Sequence, residues 1–573
     1  MSERSTDQEG GSMGAARDDV QPPAGDAQDE SDVLRKRREI REHVYELVPS
    51  IGTRWRWYDI PYRFSRWCHS SKRQRFVPWP VRRYLERLVN FVIPFHEYAR
   101  AKATPLDDPW DNLHVPGEEQ IRQGGIWVAE FFPPSQYSAL ERALRANGWD
   151  RDRLFLRENL SNADHVSLAR RRGQFSWIQL GSVVSPNSGL LVPDGWRESL
   201  PVEFSLVEIT ALQVGPSLTV VVAFFRLTDT GQNSLNSVWH AQHEPTFTWR
   251  GARRPSVENR SFAALRATQN ERKRLHDLGR KWLSERCAGF FATTTDGQPV
   301  VDFTLFETFD PELQEAPHSL RAPLRALGME GDPFRIFLSP AIPGCVFAPV
   351  QEIRDSEVLR NCWGVVGKYE RVDQLNDQPG YGPRPRSAST FAAMFDDAIR
   401  SFILYTAGAR YLRELRASYT NAQDSARELH ASYRISSLKK LRRELLSPGL
   451  DLAPVARDLC AVWDKRWQQF IGIEVVGQAG PAYKGSAGIG KFSLIDNLGE
   501  NVRSGFEELV ADDAAYRDVL LTVATLGSSA ESSRVGKIAL WVALVSLAVA
   551  AITFLFADMG DNTIWTNFVK WIR

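Results

Sequence analysis

The stretch GSAGIGKF (485–492) comes nearest to a phosphate-binding loop. Gly485, Gly490 and Lys491 match the GxxxxGK spacing, in which backbone N–H groups cradle phosphates and the lysine reaches them. Magnesium binding would require Ser or Thr at the next position, which is Phe492. A buried strand should also lead directly into the loop, but QAGPAYK intervenes. The segment therefore predicts a Gly-rich connection between helices, and we expect no cofactor.

Histidines and cysteines could build a metal site, but their spacing does not match a known one. His240 and His243 lie three residues apart beside Glu244, and neither HExxH nor HxxEH is present there. The cysteines form no CxxC pair and are scattered along the chain: Cys68, Cys287, Cys345, Cys362 and Cys460. They argue against a disulfide framework and a zinc module, and indicate reduced thiols. We expect no metal.

One apolar run is the most informative functional feature of the sequence. Residues 538–557 contain twenty residues and no charge. At 1.5 Å per residue such a helix is about 30 Å long, the thickness of the hydrocarbon core of a bilayer. Arg534 and Lys537 lie just before the run. The run therefore predicts one C-terminal transmembrane helix, and membrane lipid is an expected partner.

The orientation of this helix is predicted from the chain on either side. Two cationic residues lie within about 20 residues of each end, so the positive-inside rule does not decide. Residues 1–32 lack the apolar segment of a signal peptide. We therefore expect the bulk of the chain in the cytoplasm at the cell membrane, and 558–573 as a short extracytoplasmic tail. Trp565, Phe568 and Ile572 recur in this tail at helical spacing and predict an interfacial amphipathic helix.

Small residues recur along one face of the apolar run with heptad spacing. They are Ala539, Ala543, Ser546, Ala550, Thr553 and Ala557. Small side chains let helices approach closely, and Ser and Thr can form hydrogen bonds between helices. The spacing predicts self-association into a homo-oligomer. The alternative is an Ala-rich face that contacts only lipid.

Arginine and tryptophan are concentrated near the N-terminus. Residues 33–100 hold sixteen Lys/Arg against six Asp/Glu, although the whole chain has a net charge of +1. The candidate membrane-surface residues are Arg54, Trp55, Arg56, Trp57, Arg66 and Trp67. Three interpretations stay open: binding to an anionic bilayer, binding to nucleic acid, or stacking of Arg on Trp inside a folded domain. The membrane helix favours lipid over nucleic acid, which is not an expected partner.

The 573 residues are too many for one core and predict several domains. Apolar runs such as GGIWVAEFF and SLTVVVAFFRL predict strands, mixed with helical patterns, in 116–355. From residue 388 an apolar stripe with 4,3 spacing predicts a helical hairpin or a coiled coil: Phe391, Phe395, Ala398, Phe402, Tyr405, Ala409 and Leu412. The expected fold is an α+β cytosolic domain followed by an all-α helical region and one C-terminal transmembrane helix.

The predicted division of the chain follows these patterns. The segments are a disordered acidic tail (1–32), a basic Arg/Trp-rich helical region (33–115), an α+β domain (116–355), a helical stalk (388–530), the transmembrane helix (538–557) and the tail (558–573).

The expected function is a single-pass, membrane-anchored interaction protein that acts as a sensor, scaffold or effector and self-associates. One alternative is a membrane-tethered enzyme with its site in 116–355, because catalytic groups can be distant along a chain. A second alternative is an oligomeric channel subunit. It ranks last, because Ser546 and Thr553 are the only polar residues in the apolar run that could face a pore.

Overall fold

The computed structural model divides the chain into two compact units. One unit comprises Met1–Val115 and Ala241–Ala267, and the other comprises Pro116–His240 and Thr268–Arg573. The residues that the structure describes are 56–61, 64, 78–103, 115, 117–150, 160–186, 188, 195–250, 254–313, 322–329, 335–350, 359, 361–376, 386–430, 450–463, 472–479, 490–555 and 564–573. The predicted disordered tail, 1–32, lies outside them.

The helices, in chain order, are α1 (Trp79–Ala103), α2 (Tyr137–Ala146), α3 (Asn162–Arg172), α4 (Asp229–His240), α5 (Arg260–Arg286), α6 (Ala322–Ala326), α7 (Tyr369–Asn376), α8 (Ala388–Met394), α9 (Asp396–His430), α10 (Leu494–Leu555) and α11 (Ile564–Ile572). Residues 450–462 are also helical. The strands are β1 (Ile121–Phe132), β2 (Ser176–Val184), β3 (Gly195–Arg197), β4 (Phe204–Val214), β5 (Leu218–Leu227), β6 (Thr246–Arg250), β7 (Arg254–Glu258), β8 (Val300–Phe306), β9 (Arg335–Leu338), β10 (Cys345–Pro349), β11 (Cys362–Lys368), β12 (Val476–Ala479) and β13 (Phe492–Ser493).

The second unit contains one eleven-stranded sheet, with the strands in the order β13-β12-β9-β10-β11-β8-β1-β5-β4-β2-β3. Neighbouring strands run antiparallel except for the parallel pairs β8/β11 and β2/β3. β1 lies inside the sheet between β5 and β8, and it and β5 are apolar and buried on both faces. Such continuous apolar runs are typical of strands that are covered on both sides. The part of the chain that the structure describes is therefore mixed α/β, with 56% of its residues in helices and 23% in strands.

Side chains alternate between the two faces of the sheet and form two separate cores. On β1, Trp127, Ala129 and Phe131 enter one core, which also contains residues of α8, α9, the helix at 450–462 and α10. Ile126 and Val128 enter the other core, which contains residues of α2, α3 and α5. The described part of this unit thus has helices on both faces of the sheet.

The structure differs from the predicted boundary between an α+β domain and a helical stalk. The apolar stripe of α8 and α9 packs on the sheet: the Phe402 ring lies 4.6 Å from that of Phe347 and 5.2 Å from that of Trp363. Two short strands within 388–530, β12 and β13, extend the same sheet through β9. The physical reason is that an apolar sheet face must be covered, and the stripe supplies the cover.

Helix–helix packing nevertheless occurs between α9 and α10. The Tyr419 hydroxyl donates a 2.9 Å hydrogen bond to Asp513. Val502, Phe506 and Leu509 of α10 are buried in the core that α9 shares. The first part of α10 is thereby held against the domain.

We predict that Phe402→Ala lowers the free energy of unfolding by about 3–5 kcal/mol, because a fully buried ring is lost and a cavity remains. Ser418→Ala, on the exposed side of the same helix, is the matched control and should change it by less than about 0.5 kcal/mol. Denaturant unfolding of the full chain in detergent measures both. Equal effects of the two substitutions would contradict the packing described.

Candidate functional site

The apolar run forms the last part of α10. Gly536–Phe554 is a helical stretch of 19 residues with a mean hydropathy of 2.1, and none of it is buried. A buried core helix of a soluble protein would have its apolar residues covered, whereas the side chains of Leu540 and Trp541 are exposed. The stretch is long and apolar enough to cross a membrane, in the place where the sequence predicted a span.

The small-residue seam lies on one face of this helix. With about 100° between successive residues, Ala539, Ala543, Ser546, Ala550 and Thr553 fall within an arc of roughly 80°. Ala557, the sixth predicted position, lies outside the described residues. The Thr553 hydroxyl donates a 2.7 Å hydrogen bond to the Val549 carbonyl of its own helix. The Thr553 hydroxyl is therefore already used within its own helix. What the seam offers a second helix is close approach over its small side chains.

A short second helix, α11, follows the apolar stretch. Its exposed apolar side chains include Phe568, Trp571 and Ile572, and Lys570 and Arg573 give this end of the chain positive charge. The rings of Phe568 and Trp571 stack with their centroids 6.4 Å apart. This arrangement suits a helix at a membrane interface, where aromatic rings and cations lie at headgroup level.

The Arg/Trp-rich segment is described only in part. Arg54, Trp55, Arg66 and Trp67 lie outside the described residues. The Arg56 guanidinium donates a 2.8 Å hydrogen bond to the Tyr58 hydroxyl. The Trp57 side chain packs against Phe95, with ring centroids 5.1 Å apart, and still remains 58% exposed.

The Gly-rich loop ends in a strand rather than in the helix of a phosphate-binding loop. Gly485 lies outside the described residues. Gly490 and the exposed Lys491 lead into β13, where Phe492 pairs with Gly477 of β12 and its ring lies 6.0 Å from that of Phe337. Phosphate-binding loops open a helix at the lysine, so this backbone differs from theirs.

The two histidines of HAQHE have different surroundings. His240 ends α4, and its Nε2 lies 2.8 Å from the carbonyl oxygen of Glu119. Glu244 forms an ion pair with Arg260 at 3.6 Å. His243 is half-buried in the other compact unit.

A buried polar cluster lies between α5 and the sheet. Its centre is Asp302 of β8, which accepts hydrogen bonds from Arg272 Nε at 2.6 Å and Arg272 Nη2 at 2.8 Å. His276, one turn further along α5, lies 2.8 Å from the same carboxylate, and Gln123 of β1 donates to it at 3.1 Å. Cys362 Sγ of β11 lies 3.5 Å from Arg272 Nη2. One helix is thus joined to three adjacent strands.

Electrostatics show how this cluster is neutralised. Burial by itself would raise the pKa of Asp302, but the Arg272 charge and the His276 hydrogen bond hold it below its ordinary value. Burial lowers the pKa of His276 and raises the pKa of the Cys362 thiol to about 12. At neutral pH the cluster therefore contains one cation, one anion, a neutral imidazole and a neutral thiol.

His276, Asp302 and Cys362 are residue types that serve both catalysis and metal binding, with ligand atoms within 4.8 Å of one another. A nucleophilic cysteine needs a lowered pKa and access to substrate, whereas this thiol has a raised pKa and is buried. A metal ion would have to displace or lie beside the Arg272 guanidinium, which already neutralises Asp302. The geometry fits a structural ion-pair network better than either site.

A second buried carboxylate, Glu130, lies on β1. It accepts hydrogen bonds from the backbone N–H groups of Phe131, Phe291 and Ala292, and from Gln298 Nε2, at 2.6–3.1 Å. Burial raises the pKa of Glu130 to about 7, and these four donors act in the opposite direction. Glu130 thereby fixes the turn at Phe291–Thr293 to the sheet.

Neither buried carboxylate is among the site residues predicted from the sequence, although the sequence carries a signal for both. Asp302 interrupts VVDFTLF and Glu130 interrupts IWVAEFF, both otherwise apolar strand patterns. A charge inside such a run must find a partner when the strand is buried. The sequence does not identify that partner, because Arg272 is 30 residues from Asp302.

No protein-family model, no curated protein and no solved structure matches this chain.

We predict that Asp302→Asn destabilises the protein by about 3–5 kcal/mol, because it leaves the Arg272 charge buried without its counter-ion. The double variant Arg272→Met with Asp302→Leu removes both charges and should recover a substantial part of that loss. Denaturant unfolding of the full chain in detergent measures each free energy. Arg272→Met alone and Asp302→Leu alone complete the cycle, and a double variant that loses the sum of these two single effects would contradict a mutually dependent pair.

We also predict that acidification destabilises the protein through His276. Burial lowers the pKa of His276 in the folded state, and unfolding returns it to about 6.5. Below that pH the unfolded chain binds a proton that the folded chain does not. The free energy of unfolding therefore decreases as the pH is lowered, until the pH reaches the pKa of His276 in the folded state. His276→Gln does not titrate and should lose less stability between about pH 7.5 and pH 5.5. Equal losses would exclude this role for His276.

Proposed function

We propose that this protein is a single-pass, membrane-anchored interaction protein whose mixed α/β domain faces the cytoplasm and which self-associates through its membrane helix. Such a protein would act as a sensor, scaffold or effector that depends on assembly at the cell membrane. The observation that carries the proposal is the continuity of α10, which is rooted in the domain core and ends in a fully exposed apolar stretch.

The length of α10 supports a mechanical role. The helix has 62 residues, and 27 residue steps separate the buried Leu509 from Gly536, where the apolar stretch begins. At 1.5 Å per residue those 27 steps correspond to about 40 Å of helix. A continuous helix transmits rotation or displacement along its axis. Association of the membrane helices would therefore change the position or orientation of the domain.

Two observations support self-association and the cytoplasmic orientation. The small residues Ala539, Ala543, Ser546 and Ala550 share one face of an exposed helix, and small residues are enriched where membrane helices pair. Four cysteines among the described residues are free thiols, namely Cys287, Cys345, Cys362 and Cys460. Free thiols suit a reducing compartment such as the cytoplasm.

The enzyme alternative receives no support from the cluster around Asp302. An active site must admit its substrate, and Arg272, His276 and Asp302 are each at most 1% exposed. We therefore place the function in assembly at the membrane rather than in a reaction at this cluster.

Disulfide crosslinking of the full chain in its membrane tests the proposal. Ala543→Cys and Ala550→Cys lie on the seam and should crosslink readily under mild oxidation, because small residues bring two copies close together. Ala548→Cys is the matched control, since it makes the same substitution on the opposite face of the same helix. Leu544→Cys provides a second, off-seam control.

Crosslinking that is no stronger at 543 and 550 than at 548 and 544 would exclude the seam as the interface. Release of the chain from membranes by alkaline carbonate would exclude the anchor itself. The two results are independent, so a failed interface and a failed anchor can be told apart.

A further inference from the structure

Aromatic side chains from two distant segments meet in the smaller compact unit. On α1, Tyr84, Phe91, Phe95 and Tyr98 recur on one face at helical spacing. The β6–β7 hairpin packs on this face: the Phe247 ring lies 4.8 Å from that of Phe95, and the Trp249 ring lies 6.2 Å from that of Phe91. Trp57 joins the same group. We call Trp57, Tyr84, Phe91, Phe95, Phe247 and Trp249 the aromatic surface.

This surface is packed at its base and open at its rim. Trp57 is 58% exposed, Tyr84 67% and Trp249 53%. The nearby apolar side chains of Ile60, Phe64 and Val81 are also about half exposed. Soluble surfaces seldom expose so many large apolar groups together, and those that do usually mark an interaction site.

The exposed charges among the described side chains of α1 are predominantly positive. Arg83 and Arg87, one helical turn apart on α1, are exposed, as is Lys102 near the end of the helix. Glu97 is the exposed acidic residue among the described side chains of α1. An anionic partner is therefore electrostatically complementary to this helix.

Exposed Trp and Arg together suit two anionic partners, a bilayer surface and a single-stranded nucleic acid. Tryptophan prefers the headgroup region of a bilayer, and arginine pairs with lipid phosphates there. The apolar stretch of α10 would also keep the whole chain next to one bilayer, which raises the effective concentration of that surface above that of a free partner. These considerations favour the bilayer.

We propose that the aromatic surface binds the headgroup region of a bilayer that contains anionic lipid. Trp57 and Trp249 enter the interface, and Arg83 and Arg87 contact lipid phosphates. This inference rests on the proposed membrane attachment. It adds a second, lipid-dependent contact, whose strength varies with the anionic content of the membrane.

Hydroxyl-radical footprinting of the full chain, resolved at individual tryptophans by mass spectrometry, tests this binding. The chain is compared in detergent micelles, in neutral phosphatidylcholine nanodiscs and in nanodiscs that also contain phosphatidylglycerol. Trp57 and Trp249 should be oxidised several-fold more slowly in the anionic nanodiscs. Trp177, which is 53% exposed on β2, is the matched control and should not change. The oxidation rate of Trp541 shows whether the apolar helix is inserted in the bilayer, and the oxidation rate of the buried Trp127 shows whether the domain is folded.

The variant Arg83→Gln with Arg87→Gln tests the charge contribution. Each arginine contributes about fivefold to binding at an anionic surface, so removing both should abolish most of the several-fold slowing of oxidation at Trp57 and Trp249. Arg171→Gln with Arg172→Gln, two exposed residues of α3, is the matched control and should leave the effect unchanged.

Several outcomes would overturn the inference while leaving the anchor intact. Trp541 could be protected in nanodiscs while Trp57 and Trp249 stay as reactive as in micelles. Equal protection in neutral and anionic nanodiscs would exclude the role of anionic lipid. Protection by a single-stranded oligonucleotide, with none by anionic lipid, would assign the surface to nucleic acid. Loss of protection at Trp541 would instead show that the anchor itself fails.

Discussion

The buried ion pair between Arg272 and Asp302 is the interaction on which the centre of the large sheet depends. Asp302 lies on β8, between β1 and β11, and the residues around it come from all three strands. Neither charge has access to water, so each is tolerable only because the other is present. The pair thereby fixes where α5 sits on the sheet. It also explains how His, Asp and Cys can gather at one point without forming an accessible site.

The opposite face of the sheet imposes a second constraint, because its apolar side chains must be covered. The aromatic stripe of α8 and α9 covers them, and α10 packs against α9 in turn. The apolar stretch Gly536–Phe554 is therefore the continuation of a helix that belongs to the domain core. A flexible linker in place of this helix would not couple the position of the domain to that stretch.

Apolar side chains are exposed both in the stretch Gly536–Phe554 and in the aromatic surface, and the pattern of exposure differs between them. In Gly536–Phe554 every side chain is uncovered around the whole helix, as expected for a segment that lies in lipid. In the aromatic surface several rings pack against Phe95, while Trp57, Tyr84 and Trp249 stay more than half exposed and α1 carries exposed arginines. The first pattern suits the hydrocarbon core and the second suits the headgroup layer.

The sequence by itself determined the features that depend on neighbours along the chain. Twenty uncharged residues predicted the exposed apolar helix, alternating and continuous apolar runs predicted strands such as β1 and β5, and the 4,3 spacing predicted a helix at 388–412. Tertiary structure decided what those elements bury. The stripe from Phe391 to Leu412 packs on the sheet, and β12 and β13 extend that sheet. Trp249 and Trp57, far apart in the sequence, both pack against Phe95. The reason is physical: local periodicity fixes the kind of element and its apolar face, whereas the partner of that face is set by burial between segments far apart in the chain.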